Sequence, residues 1–182
     1  ELAGDIAMCA KALRRCGMFR TFVLQGAGEH FSVGVNPYNH CKESQTPLPA
    51  LTCACLQLLD GFIRLRGLCL PSVCAVHGKL IGASLAALLN SDYILSHSAA
   101  SFCHGNIVRG VCPLGLLSQT LVTAVGSGRA MRMYMTNETL DASLAFRFGL
   151  VHKVSDLHDP VMHTQKSALD IGLLMAREAG LA

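Results

Sequence analysis

The sequence predicts a single α/β domain with largely parallel strands joined by right-handed crossovers. Its length of 182 residues suits one domain and is short for two independent cores. Hydrophobic residues make up 51% of the chain and charged residues only 15%, which excludes general disorder. Apolar runs, glycine-bearing turns and helical periods also recur in the order strand, turn, helix, which is typical of a parallel sheet covered by helices.

The N-terminal third begins with an amphipathic surface helix. Residues 2–16 carry apolar positions at helical spacing, and Gly17 ends the pattern. A short β-rich run predicts a strand over 21–24. The polar segment 29–46 is expected to form a long loop, of a size that is often functional. Helical spacing then returns over 47–65.

The middle of the chain alternates strands with turns. An apolar run predicts a buried strand over 70–76. The turn 77–82, which contains two glycines, leads into an Ala/Leu-rich helix that ends near Asn90. A second strand is expected over 92–96, followed by a turn near 104–110.

The C-terminal part is predicted to be mainly helical. Pro113 can open a helix that runs toward Val125, and a second helix covers about 128–135. Later helical stretches are expected over 141–148 and 159–180. The last of them has apolar positions at helical spacing and is the best candidate for a packing arm.

Composition excludes two classes of function. The net charge is only +3, there is no Trp, and no basic run is longer than Arg14-Arg15, so nucleic-acid binding is not expected. The longest charge-free window, between Arg109 and Arg129, contains a proline and four glycines and therefore fails as a membrane span. So few charges leave little polar surface to cover a monomer, and self-association follows as an expectation.

The nine cysteines form no recognisable disulfide or zinc framework. Their number is odd, only Cys53 and Cys55 are close in sequence, and there is no CxxC pair. Reduced cysteines, an intracellular reducing compartment and no bound metal are therefore expected. Because the chain opens within a helical pattern, it is expected to be a fragment, with a core over 1–156 and a C-terminal helix over 157–182.

Two glycine-bearing turns carry a resemblance to a known family. The first is GAGEHFSVGVN over 26–36, and the second is VHGKLIGAS over 76–84. With Asp92 after them, they resemble the crotonase (enoyl-CoA hydratase/isomerase) superfamily. The resemblance covers about residues 2–156. It continues through further segments at 100–102, 110–113, 125–130, 136–142 and 148–151.

The resemblance implies a crotonase-like spiral of ββα units with C-terminal helices that lacks the first strand and part of the C-terminal helical region. It also implies a homotrimer or hexamer. The two turns would aim the backbone N–H groups of Val35 and Ala83 at a thioester carbonyl oxygen, as an oxyanion hole. The substrate pocket would include Gly34, Tyr38, Gly82 and Cys112. The β-branched Val35 departs from the usual alanine and narrows this pocket.

Both glutamates that family hydratases use to activate water are missing. Their positions, twenty residues apart, hold Ala86 and Asn106 here. General acid–base catalysis needs a titratable group, so ordinary two-glutamate hydration is not expected. The catalytic candidates are instead His104, as a proton-transfer group, and Asn106, which could orient a water or a carbonyl. A structural role for His104 as a hydrogen-bonded turn residue is an equal alternative.

The expected function is acyl-thioester processing by isomerisation, decarboxylation or atypical hydration or dehydration. The resemblance implies a coenzyme A or acyl-carrier-protein thioester as substrate, with no tightly bound cofactor, and is compatible with polyketide or fatty-acid metabolism. One alternative is a catalytically inactive module of this fold that binds a thioester or a partner. The other is a serine hydrolase, because Ser84 lies in a G-x-S-x-A variant of the nucleophile elbow.

Overall fold

A computed structural model describes residues 2–34, 48–113, 115–156 and 159–180. Within them the chain forms seven α-helices and seven β-strands. The helices are α1 (Leu2–Cys16), α2 (Leu48–Arg66), α3 (Ser84–Leu89), α4 (Leu117–Val125), α5 (Ser127–Thr136), α6 (Ala142–Phe148) and α7 (Pro160–Glu178). The strands are β1 (Phe22–Gln25), β2 (Ser72–Val76), β3 (Lys79–Ile81), β4 (Tyr93–His97), β5 (Ser101–Cys103), β6 (Thr139–Asp141) and β7 (Lys153–Ser155).

The strands form two sheets. A four-stranded parallel sheet has the order β1-β2-β4-β7. A smaller sheet has the order β3-β5-β6, in which β3 and β5 are parallel and β5 and β6 antiparallel. Consecutive strands such as β2 and β3 therefore enter different sheets before the next helix. The predicted α/β fold with largely parallel strands is confirmed.

Strand β2 lies at the centre of the core because both of its faces are covered. Its five residues are all buried. Val73 and Ala75 pack with Ala168 of α7 on one face, whereas Cys74 and Val76 belong to the main core on the other. Alternate side chains of a strand point to opposite faces, so a fully apolar strand fits between a helix and a second layer. Burying each Val side chain contributes about 1.5–3 kcal/mol.

Two of the helix starts are fixed by aspartate caps. The carboxylate of Asp141 accepts a hydrogen bond from the Leu144 N–H at 2.7 Å, and α6 begins at Ala142, directly after Asp141. The Asp159 carboxylate accepts from two N–H groups of α7 at 3.0 Å each, with Pro160 as the first helical residue. The predicted helices began on these aspartates, which the structure assigns to the capping position.

The remaining differences from the sequence-based elements have local causes. The three-residue strands β3, β5, β6 and β7 were not predicted, because runs this short carry no usable periodicity. Helix α4 begins at Leu117, not at Pro113 as predicted. Gly115 and Leu116 have φ values of +63° and +65°, and left-handed residues cannot belong to a right-handed helix. Residues 35–46 of the predicted loop lie outside the described residues.

Three observations on the described residues concern membrane-spanning helices, metal-binding clusters and disulfides. No helix among them has both the length and the apolar character needed to cross a membrane. Nor do three metal-binding side chains cluster anywhere within these segments. The six cysteines whose side chains the structure describes are free thiols.

Candidate oxyanion site

The two glycine-bearing turns lie side by side. Ser32 of the first turn forms a parallel bridge with Leu80 of β3. The Ser32 N–H donates to the Lys79 carbonyl at 3.0 Å, and the Ile81 N–H donates to the Ser32 carbonyl at 2.9 Å. Two segments that are far apart in sequence are thus fixed against each other by backbone hydrogen bonds.

A buried histidine adds a further link between the turns. His77, which follows β2, is 1% exposed, and its Nε2 donates to the Gly28 carbonyl at 2.7 Å. The His77 carbonyl accepts from the Phe31 N–H at 2.9 Å. His77 thus holds both ends of the segment that leads to the first expected oxyanion donor. His77 was not among the predicted site residues, although its place near the start of the second motif was a usable signal.

Gly34 brings the first turn within van der Waals distance of the second. Its φ is +77°, and a Cβ atom at this position would lie 3.0 Å from the Ile81 carbonyl oxygen. A side chain there would be strained in conformation and crowded in space. Val35, the predicted donor that follows, lies outside the described residues, as does Tyr38.

The second turn leaves the backbone donor of Ala83 unused. Gly82 has φ +76° and gives its N–H to the Cys103 carbonyl at 3.1 Å. Ala83, the next residue, directly precedes α3, and its N–H has no acceptor among the described residues. The turn therefore engages the Gly82 donor in the fold and leaves the Ala83 donor available for a ligand.

The His104 turn meets the second glycine turn at the end of the small sheet. Ile81 and Cys103 are register partners of β3 and β5. A Cβ atom on Gly105 would lie 2.8 Å from Cγ2 of Ile81 and 3.5 Å from the Gly82 nitrogen. The structure thus brings the residues around His104 to the turn that carries the Ala83 N–H.

His104 is buried against an aromatic ring. Its side chain is 2% exposed, and its ring meets the Tyr134 ring edge to face with centroids 4.9 Å apart. Nδ1 of His104 has no hydrogen-bond partner within the described part of the chain. Burial lowers the pKa of His104, and hydrogen bonding with its own backbone and with Asn106 offsets this only in part. The imidazole is therefore neutral near pH 7 and able to accept a proton.

Asn106 holds the turn together. Its side-chain Nδ2 donates to the Cys112 carbonyl at 3.1 Å, and its own carbonyl accepts from the N–H groups of Arg109 and Val111. Asn106 is buried, whereas the Cys112 side chain is exposed. The contacts of Asn106 are those of a residue that closes a loop.

The two positions at which the resemblance would place the hydratase glutamates hold Ala86 and Asn106. Ala86 is fully buried, and a Cβ atom on Gly115 would lie 2.8 Å from the Ala86 Cβ and 2.7 Å from Phe62. Asp92, the only acid from 61 to 136, accepts hydrogen bonds from the N–H and hydroxyl of Ser72 at 2.9 and 2.6 Å. Asp92 therefore links the starts of β2 and β4.

Ser84 is engaged in a local hydrogen bond. Its Oγ donates to the Ile81 carbonyl at 2.9 Å, so the hydroxyl is directed to backbone. A serine nucleophile needs a base that accepts its proton.

The ββα architecture and the paired glycine turns define a protein of the crotonase fold. A model of the enoyl-CoA hydratase/isomerase family matches residues 3–172, and the chain belongs to this family. The structure is similar to that of Pseudomonas aeruginosa DspI, with a TM-score of 0.84 and 25% identity over 94% of this chain and 63% of that one. The predicted crotonase-like fold is thereby confirmed.

Two curated relatives illustrate the range of the family. The probable enoyl-CoA hydratase EchA12 of Mycobacterium tuberculosis is 36% identical over 143 residues, which is 74% of this chain and 49% of that protein. The 1,2-epoxyphenylacetyl-CoA isomerase of Escherichia coli is 27% identical over 157 residues, which is 86% of this chain and 60% of that one. The chain thus spans about half the length of the first relative.

Proposed function

We propose that this protein binds an acyl thioester of coenzyme A or of an acyl-carrier protein and stabilises its enolate. The Ala83 N–H and the N–H of Val35 would donate to the thioester oxygen, and His104 would be the base. The observation that carries this proposal is the unused Ala83 donor at the junction of the two turns. Fixed backbone dipoles aimed at developing negative charge are the largest contribution to many such reactions.

The chemistry begins with proton transfer from the α-carbon of the acyl group. The electrons of the C–H bond move toward the thioester carbonyl, the oxygen gains negative charge, and neutral His104 takes up the proton. Returning that proton to a different carbon isomerises the acyl chain. Loss of CO2 from a carboxyl group on the α-carbon would leave the electrons of the broken C–C bond on that carbon and produce the enolate without a base. Both outcomes need the oxyanion donors, and neither needs the two glutamates.

Hydration is the reaction that the residues favour least. It needs a water held and activated beside the acyl chain, and the two positions for that task hold buried Ala86 and the loop-closing Asn106. General acid–base catalysis is worth about 10²–10⁴-fold, so crotonyl-CoA hydration should fall short of a two-glutamate enzyme by at least this factor.

Exchange of α-protons tests the proposal. Butyryl-CoA is incubated with the protein in D2O, and loss of the α-proton signal is followed by NMR, with crotonyl-CoA hydration measured in parallel. We expect exchange that His104→Ala reduces about 10²-fold or more, with thioester binding retained. Rapid hydration would contradict the proposal. Thioester binding without exchange or decarboxylation would favour the inactive binding module, and labelling of Ser84 by a fluorophosphonate would favour the hydrolase.

We further propose that the protein assembles as a homotrimer or hexamer. Large apolar side chains on α5 and α7 are exposed, including Met131, Met135, Leu169 and Leu173. Exposed apolar surface of this kind is typical of an interface. Light scattering at tens of micromolar protein should give the mass of a trimer or a multiple of it, and a monodisperse monomer would contradict this proposal.

A further inference from the structure

Asn137 adopts a conformation that most residues avoid. It ends α5 with φ +51°, in the left-handed region where glycine is the usual residue and asparagine is tolerated. A helix end needs only this backbone conformation, which glycine supplies at lower cost. The presence of a side chain here therefore invites the question of what the carboxamide contacts.

The Asn137 carboxamide contacts the residues on both sides of His104. Its Oδ1 accepts a hydrogen bond from the Gly105 N–H at 2.7 Å, across 32 residues of sequence. The thiol of Cys103 lies 3.6 Å from the same oxygen and 3.6 Å from the Asn137 carbonyl. One side chain thus holds the residue before His104 and the residue after it.

The same end of α5 also contacts the imidazole itself. Tyr134, three residues before Asn137, places its ring against His104 at 4.9 Å between centroids. In addition, Nη1 of Arg109 donates to the Gly105 carbonyl at 2.7 Å. The ring of His104 and the backbone of the next residue, Gly105, are therefore both held, and α5 together with its C-cap Asn137 supplies two of these contacts.

We propose that Asn137 is a positioning residue that fixes His104 for proton transfer. The inference rests on the proposed function of His104 as the base. Without the carboxamide the Gly105 N–H loses its acceptor and the turn gains freedom, so that the imidazole is held less well relative to the thioester. Misplacement of a catalytic group by about 1 Å can cost 10²-fold in rate.

The test compares Asn137→Gly with Asn137→Asp. Glycine removes the carboxamide and relieves the left-handed conformation, whereas aspartate retains an acceptor oxygen for the Gly105 N–H. For Asn137→Gly we expect an unchanged or higher melting temperature and at least tenfold faster hydrogen exchange of the Gly105 backbone amide with solvent. The kcat for α-proton exchange of butyryl-CoA should be roughly 10- to 100-fold lower, with KM unchanged. Asn137→Asp should retain slow amide exchange and most of the kcat. Unchanged Gly105 exchange, or unchanged kcat, in Asn137→Gly would overturn the inference.

Two further measurements separate this inference from the proposed function. The imidazole NMR resonances of His104, identified by their loss in His104→Ala, are titrated in the wild type and in Asn137→Gly. In Asn137→Gly the pKa of His104 should rise toward the ordinary histidine value as water reaches the ring. In the His104→Ala background, Asn137→Gly should lower kcat no further. If His104→Ala is fully active, the role of His104 fails, and the inference fails with it. If His104→Ala has a strongly reduced but measurable kcat and adding Asn137→Gly lowers that kcat further, only the inference fails.

Discussion

Replacing Ala83 by proline removes the proposed oxyanion donor with little other change. Ala83 has φ −59°, close to the value of about −65° that the proline ring imposes. Its N–H has no acceptor among the described residues, and its carbonyl, which accepts from the Ala86 N–H at 3.0 Å, is retained in proline. The preceding residue is Gly82, which has no Cβ to clash with the proline ring. Ala83→Pro should therefore fold.

The expected loss can be estimated from the chemistry of such donors. Removing one oxyanion donor costs roughly 2.7–4 kcal/mol of transition-state stabilisation, or about 10²–10³-fold in kcat. The matched control is Ala83→Gly, which keeps the N–H and should be mild. The assay is α-proton exchange of butyryl-CoA, with circular dichroism and thermal melting to show that both variants fold. A folded Ala83→Pro protein with the activity of Ala83→Gly would refute the assignment of Ala83 as a donor.

Three further predictions concern stability and pH. Ala86→Glu should unfold at a markedly lower urea concentration than the wild type, because Ala86 is fully buried and burying a carboxylate costs several kcal/mol. The variant should not gain crotonyl-CoA hydration. A stable Ala86→Glu protein that hydrates crotonyl-CoA would contradict this prediction. Gly78→Ala should destabilise the protein by at least about 1–2 kcal/mol, because Gly78 has φ +58° and a Cβ atom there would lie 2.6 Å from the His30 ring. Gly128→Ala, in open space on α5, should instead stabilise the protein by about 0.5–1 kcal/mol. Equal urea midpoints for the two variants would refute the reasoning. Burial lowers the pKa of His104 below 6.5, so the unfolded state binds the proton more readily, and the free energy of unfolding should be highest above that pH and fall as pH drops through the lowered pKa. In urea unfolding, His104→Gln should therefore lose less stability on acidification than the wild type, whereas the control His163→Gln, at an exposed histidine, should behave like the wild type. The same loss of stability in His104→Gln and in the wild type would contradict this prediction.

The sequence predicts the long elements well because their periodicity is strong. Helix α1 has the predicted bounds, Leu2–Cys16, since its apolar spacing and Gly17 both mark it. Strand β3 was missed because three residues between two glycine turns look like part of the turn. The start of α4 was predicted too early, at Pro113, because the sequence of Gly115 and Leu116 does not indicate that both residues adopt the left-handed conformation.

The site was predictable only as far as its motifs reach. The paired turns with Gly34 and Ala83 follow from recognisable sequence segments, although the pairing itself depends on the Ser32–Leu80 bridge. The contact from Asn137 to Gly105 joins residues 32 positions apart, and no local pattern indicates it. Tertiary contacts of single polar side chains depend on the whole fold, and this is the part that sequence reasoning could not supply.

The central claim is that backbone N–H groups at the two turns polarise a thioester carbonyl. The most direct measurement is the ¹³C NMR shift of the carbonyl of [1-¹³C]butyryl-CoA bound to the protein. Hydrogen bonds to the oxygen withdraw electron density from the carbon, so a downfield shift is predicted for the wild type and for Ala83→Gly. The shift should be smaller in Ala83→Pro. An equal shift in Ala83→Pro, or bound thioester without any shift in the wild type, would contradict the account.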